Sequence, residues 1–152
     1  MVSTISSANI KFKKISLDEA RILASQQNKE IFIDFWATWC KPCLAMEKET
    51  FSDKEVGKAI NEKYIPIKID VDYFEGMDIK EKYNVGVLPT ILIINANGDV
   101  QRRLLGQKTP ESLMSELDLP YYGGSVVSVD PSDKNSGKKE CKFLRWWRNL
   151  WN

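Results

Sequence analysis

Ile33-Asp34-Phe35-Trp36-Ala37-Thr38-Trp39-Cys40-Lys41-Pro42-Cys43 is the stretch on which the reading of this chain turns. It closes an apolar run, Ile31 to Trp36, of the length and composition expected of a strand buried on both faces. A helix is expected to open at Cys40. The C-x-x-C spacing on a first helical turn brings two sulfurs within reach, as thiol–disulfide exchange requires: a thiolate to attack and a second thiol to resolve the mixed disulfide. Free N–H groups and the helix dipole favour negative charge on Cys40. Cys43, one turn in, is expected to be the more buried, resolving thiol. Lys41 adds a positive charge, and Pro42 sits where a missing N–H costs nothing.

Working outward, strand and helix signals alternate. Ser16-Leu17-Asp18-Glu19 is a capping box, and Leu17, Ala20, Leu23 and Ala24 share one helical face as far as about Asn28. A strand is expected around Ile10 to Ile15. Ser52-Asp53-Lys54-Glu55 is a second capping box, so the helix from Cys40 is expected to break near Phe51 and restart. Ile65 to Asp70 reads as a strand and Asp78 to Tyr83 as a short helix. Thr90 to Asn95 and Val100 to Leu105 read as strands joined by the hairpin turn Asn95-Ala96-Asn97-Gly98. Thr109-Pro110 caps a last helix. Strands separated by helices imply parallel pairing, with the final hairpin adding an antiparallel strand. The fold class is α/β, a central mixed sheet with helices on both faces.

Composition bounds the chemistry. The absence of histidine removes His-based bases and most zinc schemes, and a net charge of +1 predicts no pull toward nucleic acid. A zinc or iron–sulfur site needs about four ligands, whereas only Cys141 remains beyond the pair, so no metal is expected. Disulfide exchange also calls for no cofactor. No stretch is apolar enough to span a membrane, and Met1 to Lys14 lacks the apolar core of a secretory signal. Two localisations stay open: cytoplasmic as written, or extracytoplasmic if a signal was trimmed. Residues 1–119 are read as one domain, 120–137 as a Gly/Ser/Pro-rich linker, and 138–152 as a basic, tryptophan-rich end.

Asp34 interrupts the apolar strand. Buried, it has a raised pKa and can pass a proton to or from the resolving thiol; the other reading is a solvent-facing Asp on an amphipathic strand. Lys68, in the next strand, either reaches Asp34 or is a solvated lysine. Pro89 suggests a tight turn, and a cis peptide after Leu88 is one option.

The run from Ile33 to Cys43 resembles the active-site segment of thioredoxins, and Val87-Leu88-Pro89-Thr90 is similar to that family's cis-proline loop. Asn97-Gly98 and Gly106 fall where the family has its hairpin and the glycine after its last strand. The resemblance spans about Ser16 to Leu119. It implies a thioredoxin fold and a protein-disulfide reductase with protein disulfide substrates and an upstream electron donor. In that reading Cys40 attacks, Cys43 resolves, Asp34 assists proton transfer and Lys68 lies near Asp34. Trp36, Trp39, Leu88, Pro89 and Gly106, with Lys41 and Pro42, shape the surface that docks a partner disulfide. Thr50-Phe51-Ser52-Asp53 is similar to a stretch found in bacterial extracytoplasmic reductases and in the C-terminal domain of the membrane electron transporter that serves the periplasm. Two departures from thioredoxin stand out: Lys41 replaces its usual glycine, which bears on redox potential, and Tyr73 to Asp78 differs, which bears on partner choice.

At the C-terminal end, Phe143, Trp146, Trp147, Leu150 and Trp151 follow amphipathic helical spacing, with Lys142, Arg145, Arg148 and Asn149 opposite. Such a face suits a membrane surface or a protein surface, this chain's own included. It also supports a different reading of the whole chain, an interaction module that docks a partner or membrane through this segment.

Overall fold

The computed structural model describes residues 9–123. The expectations placed on 138–152, Cys141 included, lie outside the described residues. Five helices and four strands follow in the order α1 (Leu17–Gln27), β1 (Glu30–Trp36), α2 (Lys41–Glu49), α3 (Lys54–Lys63), β2 (Tyr64–Asp70), α4 (Phe74–Lys82), β3 (Thr90–Ile94), β4 (Val100–Leu105) and α5 (Pro110–Glu116).

The sheet order is β2-β1-β3-β4. β1 pairs parallel with β2, Asp34 opposite Lys68. β3 runs antiparallel to β1, Phe35 opposite Thr90, although α4 lies between β2 and β3 in the chain. This corrects the expectation of parallel pairing wherever a helix intervenes. The connection from α4 delivers the chain to the C-terminal end of β1, so β3 starts there and runs back. As a result the end of β1 and the Leu88–Pro89 segment share one edge of the sheet.

Alternation sorts the core into two layers. Ile31, Ile33 and Phe35 of β1 pack with Ile67, Leu92 and α1 residues Leu17, Ala20 and Ala24. Phe32 faces the opposite layer, with Met46 of α2, Val56 and Ile60 of α3 and Leu113 of α5. Asp34 shares the parity of Phe32.

Three local expectations change. The segment Ile10 to Ile15 makes one parallel bridge, Lys13 to Ile67, rather than a strand; Lys13 N–H donates to Pro66 O, and the alternating lysines leave little apolar surface to extend the pairing. The N-cap of α3 is Asp53, not Ser52. Its carboxylate accepts from the N–H groups of Glu55 and Val56, while the Ser52 hydroxyl donates back to Lys48 O. α4 starts at Phe74, ahead of the expected Asp78, and no side chain caps it. Gly76 explains the early start. A Cβ there would stand 1.9 Å from Asp70 O, so a glycine lets the first turn of α4 press against the end of β2. The break between α2 and α3, the capping box at Ser16 and the Thr109 cap with Pro110 in the first turn are as read from the sequence; the reciprocal bond from Ser112 that completes a capping box at Thr109 is added by the structure.

Candidate active site

Cys40 is the N-cap of α2, in extended backbone with φ −80° and ψ 95°. Its N–H donates to Ala37 O, and its carbonyl accepts from Leu44 N–H. Its Sγ accepts the N–H of Cys43 at 3.3 Å. A backbone donor aimed at the sulfur, above the positive end of the helix, stabilises a thiolate there. Cys40 and Cys43 are joined as a disulfide, Cα to Cα 5.3 Å. Cys43 is not the more buried of the two: the pair is 4% and 5% exposed. Helix position, not burial, distinguishes them: Cys40 is the N-cap and Cys43 lies within the first turn. Lys41 and Pro42 lie exposed on the first turn.

The edge made by the ends of β1, β2 and β3 frames this turn. Val71 N–H donates to Trp36 O, carrying the β1–β2 pairing one step past the strands. Trp39, 66% exposed, donates its indole N–H to both carboxylate oxygens of Asp72, at 3.1 and 3.0 Å. The Leu88–Pro89 bond is cis. The Thr90 hydroxyl ties that loop to Val87 O at 2.8 Å. Gly106, at φ +77°, donates its N–H to Pro89 O; few residues but glycine adopt that backbone without strain. Pro89 is buried and Leu88 partly so.

In β1, Asp34 is 2% exposed. Lys68 Nζ stands 3.7 Å from its Oδ2, while its Oδ1 has no hydrogen-bond partner. Burial raises its carboxyl to about 7, against the partial relief supplied by Lys68, and the charge of Glu47 adds to the rise. Lys68 also pairs with Glu47 and lies over the rings of Trp36, at 4.6 Å, and Phe12, at 5.1 Å. The solvent-facing alternatives for Asp34 and Lys68 do not describe this arrangement.

Sequence reasoning missed Glu47 and Asp72. Glu47 lies one helical turn beyond Cys43, a spacing that places it on the same face of α2. Asp72 follows the end of β2, and its indole partner is distant in sequence, so nothing local marked it. Among the described residues, no cluster of His, Cys, Asp and Glu is arranged to hold a metal ion, and no helix is long and apolar enough to cross a membrane.

A family model described as the Thioredoxin-like domain matches residues 17–119. Thioredoxin-1 of Drosophila melanogaster is 35% identical over 80 residues, covering 53% of this chain and 70% of that protein. Thiol-disulfide oxidoreductase ResA of Bacillus cereus is 32% identical over 126 residues, covering 69% of this chain and 68% of that protein. Among solved structures, a DsbH oxidoreductase superposes with a TM-score of 0.63 at 21% identity, over 79% of this chain and 92% of that one; at that identity the likeness concerns the fold.

Proposed function

The chain belongs to the thioredoxin-like domain family and is a thiol–disulfide oxidoreductase; from that premise we propose that it reduces protein disulfides, with Cys40 attacking and Cys43 resolving. The observation that carries the assignment of roles is the Cys43 N–H directed at Cys40 Sγ at the N-terminus of α2. In the reduced enzyme the Cys40 thiolate attacks one sulfur of the substrate disulfide. A new S–S bond forms, the old one breaks, and the departing thiolate takes a proton. Cys43 gives its proton to the ionised Asp34 carboxylate, and its thiolate attacks Cys40 Sγ. The second substrate sulfur leaves as a thiolate and takes up the proton held by Asp34, and the enzyme is left as the Cys40–Cys43 disulfide. An upstream dithiol donor returns the two electrons.

In this reading Asp34 is the proton acceptor, Lys68 its positioning residue, and Trp36, Trp39, Lys41, Pro42, Leu88, Pro89 and Gly106 form the docking rim. The rim is supported by the shared sheet edge of Trp36 and Pro89 and by the 66% exposure of Trp39. Residues 1–119 act as the redox domain, and 120–137 link it to the segment 138–152, whose aromatic face seeks a protein or membrane surface.

Insulin reduction by dithiothreitol tests this reading. Wild type accelerates it and Cys40→Ser abolishes the acceleration. A strongly reducing potential for the Cys40–Cys43 pair supports the reductase direction, and a high one reverses it.

A further inference from the structure

Beside the redox turn runs a groove of about 560 Å³ between Trp39 and α4. Its apolar surface comes from Trp39, Met77 and Val85, with Trp39 66% and Met77 52% exposed. Its rim is acidic, with Asp72, Asp78 and Glu81 against one lysine, Lys80. Exposed apolar side chains beside a rim of three carboxylates and one lysine suit an occupant that is both apolar and cationic.

This chain carries such a segment. Residues 138–152 hold five Lys/Arg against one Glu, and their sequence spacing sets Phe143, Trp146, Trp147, Leu150 and Trp151 against Lys142, Arg145 and Arg148. Guanidinium groups pair well with carboxylates such as those on the rim. The described chain ends near the start of α3. There Tyr121 Oη donates to Asp53 at 3.3 Å, and Tyr122 N–H donates to Glu55 at 2.7 Å. The fourteen residues 124–137 supply roughly 45 Å of extended chain. That exceeds the width of a domain of about 100 residues, whose radius of gyration is about 13 Å.

We propose that residues 138–152 dock in the groove between Trp39 and α4 of their own domain and thereby limit access to Cys40. The inference rests on the reading of Cys40 as the attacking thiol. The occupant stands against Trp39, one residue from Cys40, on the surface a substrate disulfide needs. A cationic, apolar substrate segment competes with it, so the same groove selects substrates of that chemistry.

The test follows carboxamidomethylation of Cys40 by iodoacetamide in the reduced full chain. D78K/E81K reverses the rim, K142E/R145E/R148E reverses the segment, and a combined chain carries all five substitutions. Each reversal alone is expected to speed alkylation roughly two- to tenfold, as follows when a segment at an effective concentration of about 1 mM is released from a site it binds with a dissociation constant of about 0.1–1 mM. The combined chain is expected to return to the wild-type rate. A simple field effect on the thiolate gives a different pattern: the rim reversal speeds alkylation, the segment reversal does not, and the combination is not restored. That pattern overturns the proposal, as does an unchanged rate in both single sets. A rate that changes with protein concentration assigns the groove to a second copy and also overturns it. So does a wild-type rate that rises when anionic phosphatidylglycerol vesicles capture the chain without any response to the segment reversal in buffer. The segment set, placed beyond the folded domain, carries the test even where the rim pair disturbs α4. Insulin reduction is read in parallel: its absence in wild type refutes the reductase reading and leaves the alkylation comparison standing.

Discussion

Lys68 holds its ammonium 3.7 Å from the Asp34 carboxylate while pairing with Glu47 on its other side. The buried acid therefore shares its single cation with a second acid. A dedicated ion pair would keep Asp34 ionised. The shared one leaves burial as the dominant influence, and Asp34 changes charge near neutrality, with a pKa of about 7.

Asp34→Asn is expected to slow disulfide exchange and to remove the limb of its pH–rate profile that passes through about pH 7. Its effect on stability has a fixed sign. The folded-state value of about 7 lies above the ordinary 3.8, so between those values the folded chain holds a proton that the unfolded chain has lost, and stability falls as pH rises. The loss is complete above about 7 and amounts to on the order of 4 kcal/mol at 1.36 kcal/mol per pH unit. Thermal melts are expected to show Asp34→Asn more stable than wild type at pH 8, the advantage shrinking toward pH 4. Equal melting curves at both ends would refute the buried-acid account.

Lys68 and Glu47 act on Asp34 with opposite signs. Lys68→Gln is expected to move the Asp34 titration above 7, and Glu47→Gln to move it below. Carbon NMR of the Asp34 carboxyl reads both directly. Shifts of the same sign would mean that the two side chains act through packing, since Lys68 also lies over Trp36 and Phe12.

Gly76→Ala places a methyl 1.9 Å from Asp70 O, backbone that has little room to yield. A cost of about 1–3 kcal/mol is expected, although alanine is the better helix former by about 1 kcal/mol. Urea titration is expected to show a lower midpoint with an unchanged slope. A neutral or stabilising result would show that α4 slides away from β2 freely.

Cys43→Ser is expected to accumulate a mixed disulfide between Cys40 and substrate, visible on non-reducing gels and lost on reduction. Cys40→Ser accumulates none. Trapping through Cys43 instead would exchange the two roles.

The redox helix and the buried carboxylate were legible because each breaks a local pattern: two cysteines follow a buried strand, and one acid interrupts that strand. Asp34 and Lys68 could be linked because both lie on strands whose apolar surroundings give their positions away. The antiparallel course of β3 was not legible, since a helix between two strands is the usual sign of a parallel crossover. The start of α4 escaped notice because Tyr73 offers no capping side chain, and Gly76 reads as a breaker until the Asp70 carbonyl is seen beside it. Asp72 and Glu47 owe their roles to Trp39 and Lys68, residues far away in sequence, and no window along the chain contains both members of either pair.

The reversal of β3 also gives the molecule two functionally separate poles. The segments that follow β1, β2 and β4 and the one that enters β3 gather at the pole that holds the sulfurs. The hairpin Asn95 to Gly98 turns at the other, anchored by Arg21 to Ala96 O and Asn97 O and by Tyr83 to Gly98 O. In the proposed reading, variation at the first pole alters partner recognition. The second is insulated from it and offers an attachment point, where a dye or a fused domain could report on the protein while leaving its thiol chemistry unobstructed.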